Sequence, residues 1–363
     1  IEAYRAYTEA FPAGRHLAAA LEAMDSLTLR QGKVFRDCAE CPDMVVIPAG
    51  SFWQGSEETA PLALKKETPR RMVTFAEPFA IGVFEVTFDQ WDRCVAAGGC
   101  STRPSDNGWG RGDRPVIMVS WNDAQEYVGW LSGHTGQRYA LPSESQWEYA
   151  ARAGEEGDWP GGDPSLVCQF ANVAGSESGF RWQHDECADD VALQTLPVGS
   201  LRANAFGLHD TIGNVAEWTL DCMNLSYLDA QADGSAWSRG ICSSRMTRGG
   251  SWFTGTKDIR LPARFSLKNG DRNDFTGFRV VRGTPRDWFE PYGWHVHEAP
   301  DGSAWQDVAS AILEIDRAVT ETMRSAEFPA ENFGEAFIKR TRRLRKRWRG
   351  RLRACVLSWC SRG

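Results

Sequence analysis

Residues 155–290 show little helical periodicity and are rich in Gly, Asp, Asn, Ser and Trp. A folded domain rarely holds so long a stretch without some restraint beyond its own backbone. Disulfides, bound ions or packed indoles must therefore tie it down. Cys168 with Cys187, and Cys222 with Cys242, stand where they could close two of its loops. Sixteen tryptophans supply the indoles, and most of them are expected in core and corner packing. Trp109, Trp182 and Trp252 sit in polar, glycine-rich surroundings and are candidates to line a groove.

The chain has ten cysteines, and eight of them fall into neighbouring couples: Cys38 with Cys41, Cys94 with Cys100, and the two couples above. Couples of this kind read as disulfides in an exported protein, periplasmic or extracellular. The competing readings are buried free thiols or one zinc site, but CAEC at 38–41 has no second CxxC or HxxxH to complete a zinc set. The net charge of −7 divides into +11 over residues 339–363 and −18 over residues 1–338. So acidic a body argues against nucleic acid as its partner. The basic tail could contact RNA or other anionic surfaces, or stay solvated and disordered. No apolar run approaches the ~18 residues of a membrane helix. Starting at Ile1, the chain reads as a processed product or a fragment.

Four segments follow from the pattern. Residues 1–36 form a helical lead-in, with Tyr4, Tyr7 and Phe11 and then Leu17, Leu21 and Met24 spaced three to four apart. Residues 37–284 alternate short β-type runs with glycine turns. MVVIPAGSFWQGS and RRMVTFAEPFAIGVF predict strands, and a helix is expected from Asp89-Gln90-Trp91. RPVIMVSWNDAQEYVGWL predicts a strand followed by a helix capped by Ser120, and Ser143 caps another that carries Trp147 and Tyr149. Helices among many short strands make the domain α+β. Residues 285–338 contain one amphipathic helix, and residues 339–363 are the basic tail.

Arg248-Gly249-Gly250-Ser251-Trp252 is the string most suggestive of a site, because two adjacent glycines let the backbone pass close to something. Taken with MVVIPAGSFWQGS, FAIGVFEVTFDQW, ALPSESQWEYAARAG, NAFGLHDTIGNVAEW and FTGFRVVR in that order, it resembles the formylglycine-generating enzyme, or sulfatase-modifying factor, family. The resemblance implies a C-type-lectin-like α+β fold that is loop-rich with little regular secondary structure. It also implies a place in a longer multidomain bacterial protein. Active members oxidise a sulfatase cysteine to formylglycine with copper held by two cysteines. Those cysteines align with Thr254 and Ile259 here, and the histidine after the first aligns with Gly255. A hydroxyl and an alkyl chain offer Cu(I) no soft ligand, so copper is not expected. Ser251 is the remaining catalytic candidate at the site.

Calcium is the family's other metal. For one site the resemblance supplies Asp210, Gly213, Val215 and Glu217; for the other it supplies Asn172, Val173, Asp190 and Ala192, with Asp189 as the substitute if the alignment slips. These acids could instead cap turns without metal. A substrate groove would involve Trp252, Arg248 and Trp182, although Arg248, Arg264, Arg279 and Arg282 could equally pair with carboxylates. His295 and His297 lie outside the domain and lack a third ligand. The expected function is a binding or accessory module for a peptide or protein ligand, braced by Ca²⁺ and lacking oxidase chemistry. The alternative is an oxidoreductase or protein-modifying enzyme that uses the same cleft through Ser251. A third reading is a regulatory or sensory part of a longer chain.

Overall fold

Three helices start on the same local device. In the computed structural model, which describes residues 32–185, 187, 193–255 and 257–282, α1 (Phe88–Ala96), α2 (Trp121–Thr135) and α3 (Glu144–Arg152) each open on a capping box. Thr87, Ser120 and Ser143 accept from the main chain three residues on, and Gln90, Asp123 and Gln146 reach back. The helix expected at Asp89 begins one residue earlier, because the Thr87 cap satisfies its first turn. Ala124, Tyr127, Val128 and Leu131 form the buried face of α2, as their spacing predicts. The lead-in before residue 32, His295 and His297, the amphipathic helix expected within residues 285–338 and the basic tail lie outside the described residues.

The first sheet has five strands in the order β1 (Val34–Phe35), β2 (Met44–Ile47), β5 (Phe79–Gly82), β11 (Val281–Arg282) and β6 (Tyr139–Ala140). Strand β2 is apolar throughout because both of its faces are covered. Met44 joins the cluster of Trp91, Tyr127 and Leu131 from α1 and α2, whereas Val45 and Ile47 join Tyr149 and Ala150 of α3. A second ladder pairs β3 (Gly50–Gln54) with β4 (Arg71–Phe75).

The glycine-rich stretch contains the two longest strands described. β7 (Ala216–Met223) and β8 (Ile241–Arg248) lie in a four-stranded sheet ordered β10 (Thr276–Gly277), β7, β8, β9 (Arg264–Lys268). Elsewhere it holds short 3-10 helices, one of them at Pro164–Gln169. Disulfides close Cys38–Cys41, Cys94–Cys100, Cys168–Cys187 and Cys222–Cys242, with Cα atoms 4.5–5.3 Å apart. Such bridges fit an oxidising compartment. Cys94–Cys100 pins the end of α1 to the loop that follows it.

RPVIMVS is not a strand, contrary to its pattern. Val116, Ile117 and Val119 are buried, but Met118 takes a positive φ of 58° and gives its N–H to Asn273. That kink leaves one isolated bridge, Thr87 to Pro115, where a ladder was expected. Among the described residues no helix is long and apolar enough to cross a membrane.

Candidate functional site

Strand β8 delivers Arg248 into the turn at Gly249 and Gly250, whose φ values are 90° and 67°. A Cβ on Gly249 would lie 2.9 Å from the Thr211 carbonyl, so only glycine lets the two chains meet. Main-chain hydrogen bonds then stitch this turn to the GNV loop: Gly213 N–H to Gly249, and Trp252 N–H to Asn214. Two segments far apart in sequence thus form one structural unit.

Within the turn Ser251 is buried, and its N–H and hydroxyl both engage the Thr254 hydroxyl, at 2.9 and 3.2 Å. The Ser251 Oγ also accepts the N–H of Phe253. These contacts make Ser251 and Thr254 the clasp of a tight turn. Ile259 is fully buried in an apolar cluster with Trp147, Ala151 and Leu261. A Cβ on Gly255 would fall 1.5 Å from the Trp182 carbonyl oxygen, so the segment carrying Trp182 occupies the space a side chain there would need.

The three tryptophans singled out by their surroundings belong to one aromatic shelf. Trp252 meets Trp109 edge to face at 5.3 Å and Phe253 at 5.6 Å. Phe253 meets Trp182, which stacks on Phe180 at 4.9 Å. Trp182 is 48% exposed and donates its indole N–H to the Phe253 carbonyl, whereas Trp252 is nearly buried.

Arg248 is not a groove residue. Its guanidinium is fully buried and binds Glu144 and Glu148 of α3 at 3.1 and 2.6 Å. Glu144 also takes both arms of Arg264, and Arg152 bonds Glu148. Burial pushes the Glu144 carboxyl up, but Arg264 and Arg248 hold it below the ordinary carboxylate range. Asp221 lies beside this group, accepting the N–H groups of Glu144 and Trp237. Burial and the Glu144 charge raise its pKa to about 7. A cavity of ≈ 10 Å³, about the room of one water, lies between Asp221, Gln54 and Gln231.

Three more buried carboxylates surround the GNV loop. Glu217 accepts both arms of Arg279 at 2.7 Å and the Trp147 indole N–H at 2.9 Å. Asp210 accepts from Gly199 N–H, and Glu85 from Asn214 and from Val215 N–H. Burial, with Asp210 and Glu217 close by, pushes Glu85 well above its ordinary range, and burial raises Asp210 as well. Of the second calcium set, Asn172 bridges to Gly213 and gives its amide to Gln194. Val173 is buried next to it, while Asp189, Asp190 and Ala192 lie outside the described residues. The sequence reading missed Glu85 and the Glu144–Glu148 pair. The latter had a signal, since positions i and i+4 of a helix share a face and a buried face must neutralise them.

A model of the sulfatase-modifying factor enzyme 1-like domain matches residues 30–284. The formylglycine-generating enzyme of Streptomyces coelicolor is 34% identical over 184 residues, covering 47% of this chain and 54% of that one. The chain thus spans about half the length of that relative. The protein named inactive C-alpha-formylglycine-generating enzyme 2 in Mus musculus is 28% identical over 302 residues, covering 68% and 88%. Among solved structures, PvdO from Pseudomonas aeruginosa superposes with a TM-score of 0.61 at 36% identity, over 70% of this chain and 99% of that one. Its mixed helix-and-sheet architecture and the match over residues 30–284 establish that the chain belongs to the sulfatase-modifying factor family, with that family's C-type-lectin-like fold.

Proposed function

We propose that this domain is a binding or accessory module without cysteine-to-formylglycine oxidase activity, working in the periplasm or outside the cell as part of a longer chain. One observation carries the reading. Of the two positions where active members hold copper, Thr254 spends its hydroxyl on the Ser251 turn and Ile259 is buried among apolar side chains. Neither supplies a thiolate. The mouse relative's name shows that membership of this family is compatible with inactivity. A peptide or protein ligand would find the exposed edge of Trp182 and its aromatic neighbours, which offer apolar area at low entropic cost. Oxidoreductase or modifying chemistry from Ser251 is the less favoured reading. A nucleophile needs an adjacent base, and this hydroxyl is occupied by the turn.

Incubation with a sulfatase-motif peptide, Cu(I) and oxygen is expected to yield no aldehyde by mass spectrometry, with an active relative as the positive control. Multiple turnovers of aldehyde formation would overturn the reading.

Calcium bracing belongs to the same proposal. Ionised, Glu85, Asp210 and Glu217 leave two negative charges unmatched after Arg279, and burial makes that costly. The donors are hard oxygens, and Glu217 Oε1 keeps one lone pair beyond its bond to Arg279. A Ca²⁺ ion would be held by the Asp210 and Glu217 carboxylates with the carbonyls of Gly213 and Val215. At 100 times its Kd it adds about 2.7 kcal/mol, or roughly 5–10 °C in Tm for a domain of this size. Chelator should remove that increment, and Asp210→Ala should abolish it. A melting temperature indifferent to calcium in the wild type would count against the site.

A further inference from the structure

A second set of potential metal-ligand atoms is tied through the main chain of Ala174 to the Ser251–Thr254 turn. The Sγ atoms of Cys168 and Cys187 and a ring nitrogen of His184 all lie within 4.8 Å of one another. His184 and Cys187 are buried, and Cys168 is half-buried. Main-chain bonds fix the arrangement. His184 N–H donates to Ala174 at 2.7 Å, Cys187 N–H to His184 at 3.2 Å, and Ser176 N–H to Cys187 at 2.7 Å. Ala174 N–H in turn binds the carbonyl of Thr254. Both cysteines pack in the apolar cluster that contains Ile259.

We infer that reduction of the Cys168–Cys187 disulfide turns this cluster into a Cys₂His site for a thiophilic d¹⁰ cation, Zn²⁺ or Cu⁺. A dithiol would supply the two electrons and two protons, closing its own disulfide as the sulfur–sulfur bond opens into two thiols. The cation then displaces both thiol protons and binds two thiolates and the imidazole. Tetrahedral coordination with zinc–sulfur bonds of about 2.3 Å sets two sulfurs about 3.8 Å apart. The imidazole already lies within 4.8 Å of both sulfurs, so side-chain shifts complete the set once the sulfurs separate. Three protein ligands leave a fourth position open to water or a ligand. Two soft thiolates select against Ca²⁺, so the oxygen-rich site around Asp210 and Glu217 does not compete for the same ion. In an oxidising compartment the pair stays closed, and cation binding is gated by thiol reductant.

The test is zinc titration against a chromophoric chelator, using full-length protein whose free thiols have been alkylated and whose disulfides are then opened with a phosphine. Near-ultraviolet circular dichroism monitors the fold. The reduced wild type is expected to take up one zinc per chain more than Cys168→Ser/Cys187→Ser, and the oxidised wild type none at this site. His184→Asn should weaken that additional site at least the ~10-fold commanded even by residues that only support a metal ligand. The control Cys222→Ser/Cys242→Ser should leave it unchanged. A parallel Cu⁺ titration distinguishes the preferred ion. Equal uptake by wild type and Cys168→Ser/Cys187→Ser, affinity indifferent to His184, or loss of near-ultraviolet signal on reduction before metal is added would each overturn the inference.

Discussion

Glu144→Ala is expected to destabilise the domain by about 3–5 kcal/mol, the cost of breaking a buried ion pair from one side. In a domain of this size that lowers Tm by roughly 6–20 °C. Glu144 is the one carboxylate that both Arg248 and Arg264 share, so its loss leaves two buried guanidiniums short of a partner. The comparison that makes the test specific is Arg70 with Glu57, where the glutamate side chain is 63% exposed. Glu57→Ala should cost less than about 1 kcal/mol, as exposed pairs do. Equal effects in thermal melts would show that the Glu144 network contributes nothing beyond a surface contact.

The second large effect concerns pH. Asp221 has its pKa raised to about 7, from an ordinary 3.8, because burial and the Glu144 charge oppose its ionisation. Between those values the folded chain holds a proton that the unfolded chain has released. Stability from this group is therefore fully present below pH ~4 and is lost as pH rises through ~7. The span corresponds to an upper bound of about 4 kcal/mol. Asp221→Asn should flatten that decline in urea-denaturation free energies measured from pH 4 to 8, even though the amide cannot accept both N–H groups and so costs stability throughout. A variant whose slope matches the wild type would refute the assignment. Glu85 and Asp210, also raised, slope in the same direction and remain in both proteins.

Local rules explain most of what could be read in advance. The caps at Ser120 and Ser143, the faces of α2 and the apolar run of β2 depend on neighbours within a few residues, and pattern reports those. The four disulfides were visible as spacing. RPVIMVS misled because the partner that bends it, Asn273, is remote in sequence. Of the two readings of Arg248, groove or ion pair, the structure has the ion pair; the sequence left both open because its carboxylates lie on a helix about a hundred residues earlier, and a basic residue beside a glycine pair looks the same whether it faces ligand or core. Trp109, Trp182 and Trp252 were legible as a set, but Phe253, which joins them, gave no separate signal. Glu85 was hidden inside an apolar run, where a single acid reads as surface.

The contact between Gly255 and the Trp182 backbone limits how this turn could be re-engineered. Cysteines placed at 254 and 259 would supply the sulfur ligands but not the histidine that active relatives carry between them. At position 255 any side chain meets the Trp182 carbonyl within bonding distance. The segment that occupies this space is anchored by the Trp182 indole and the bridge from Gly175 to His184. Two cysteine substitutions alone therefore do not rebuild that ligand set. Installing a copper-type ligand set here therefore requires rebuilding the loop that carries Trp182, whereas changing what the exposed aromatic surface binds requires only side-chain changes.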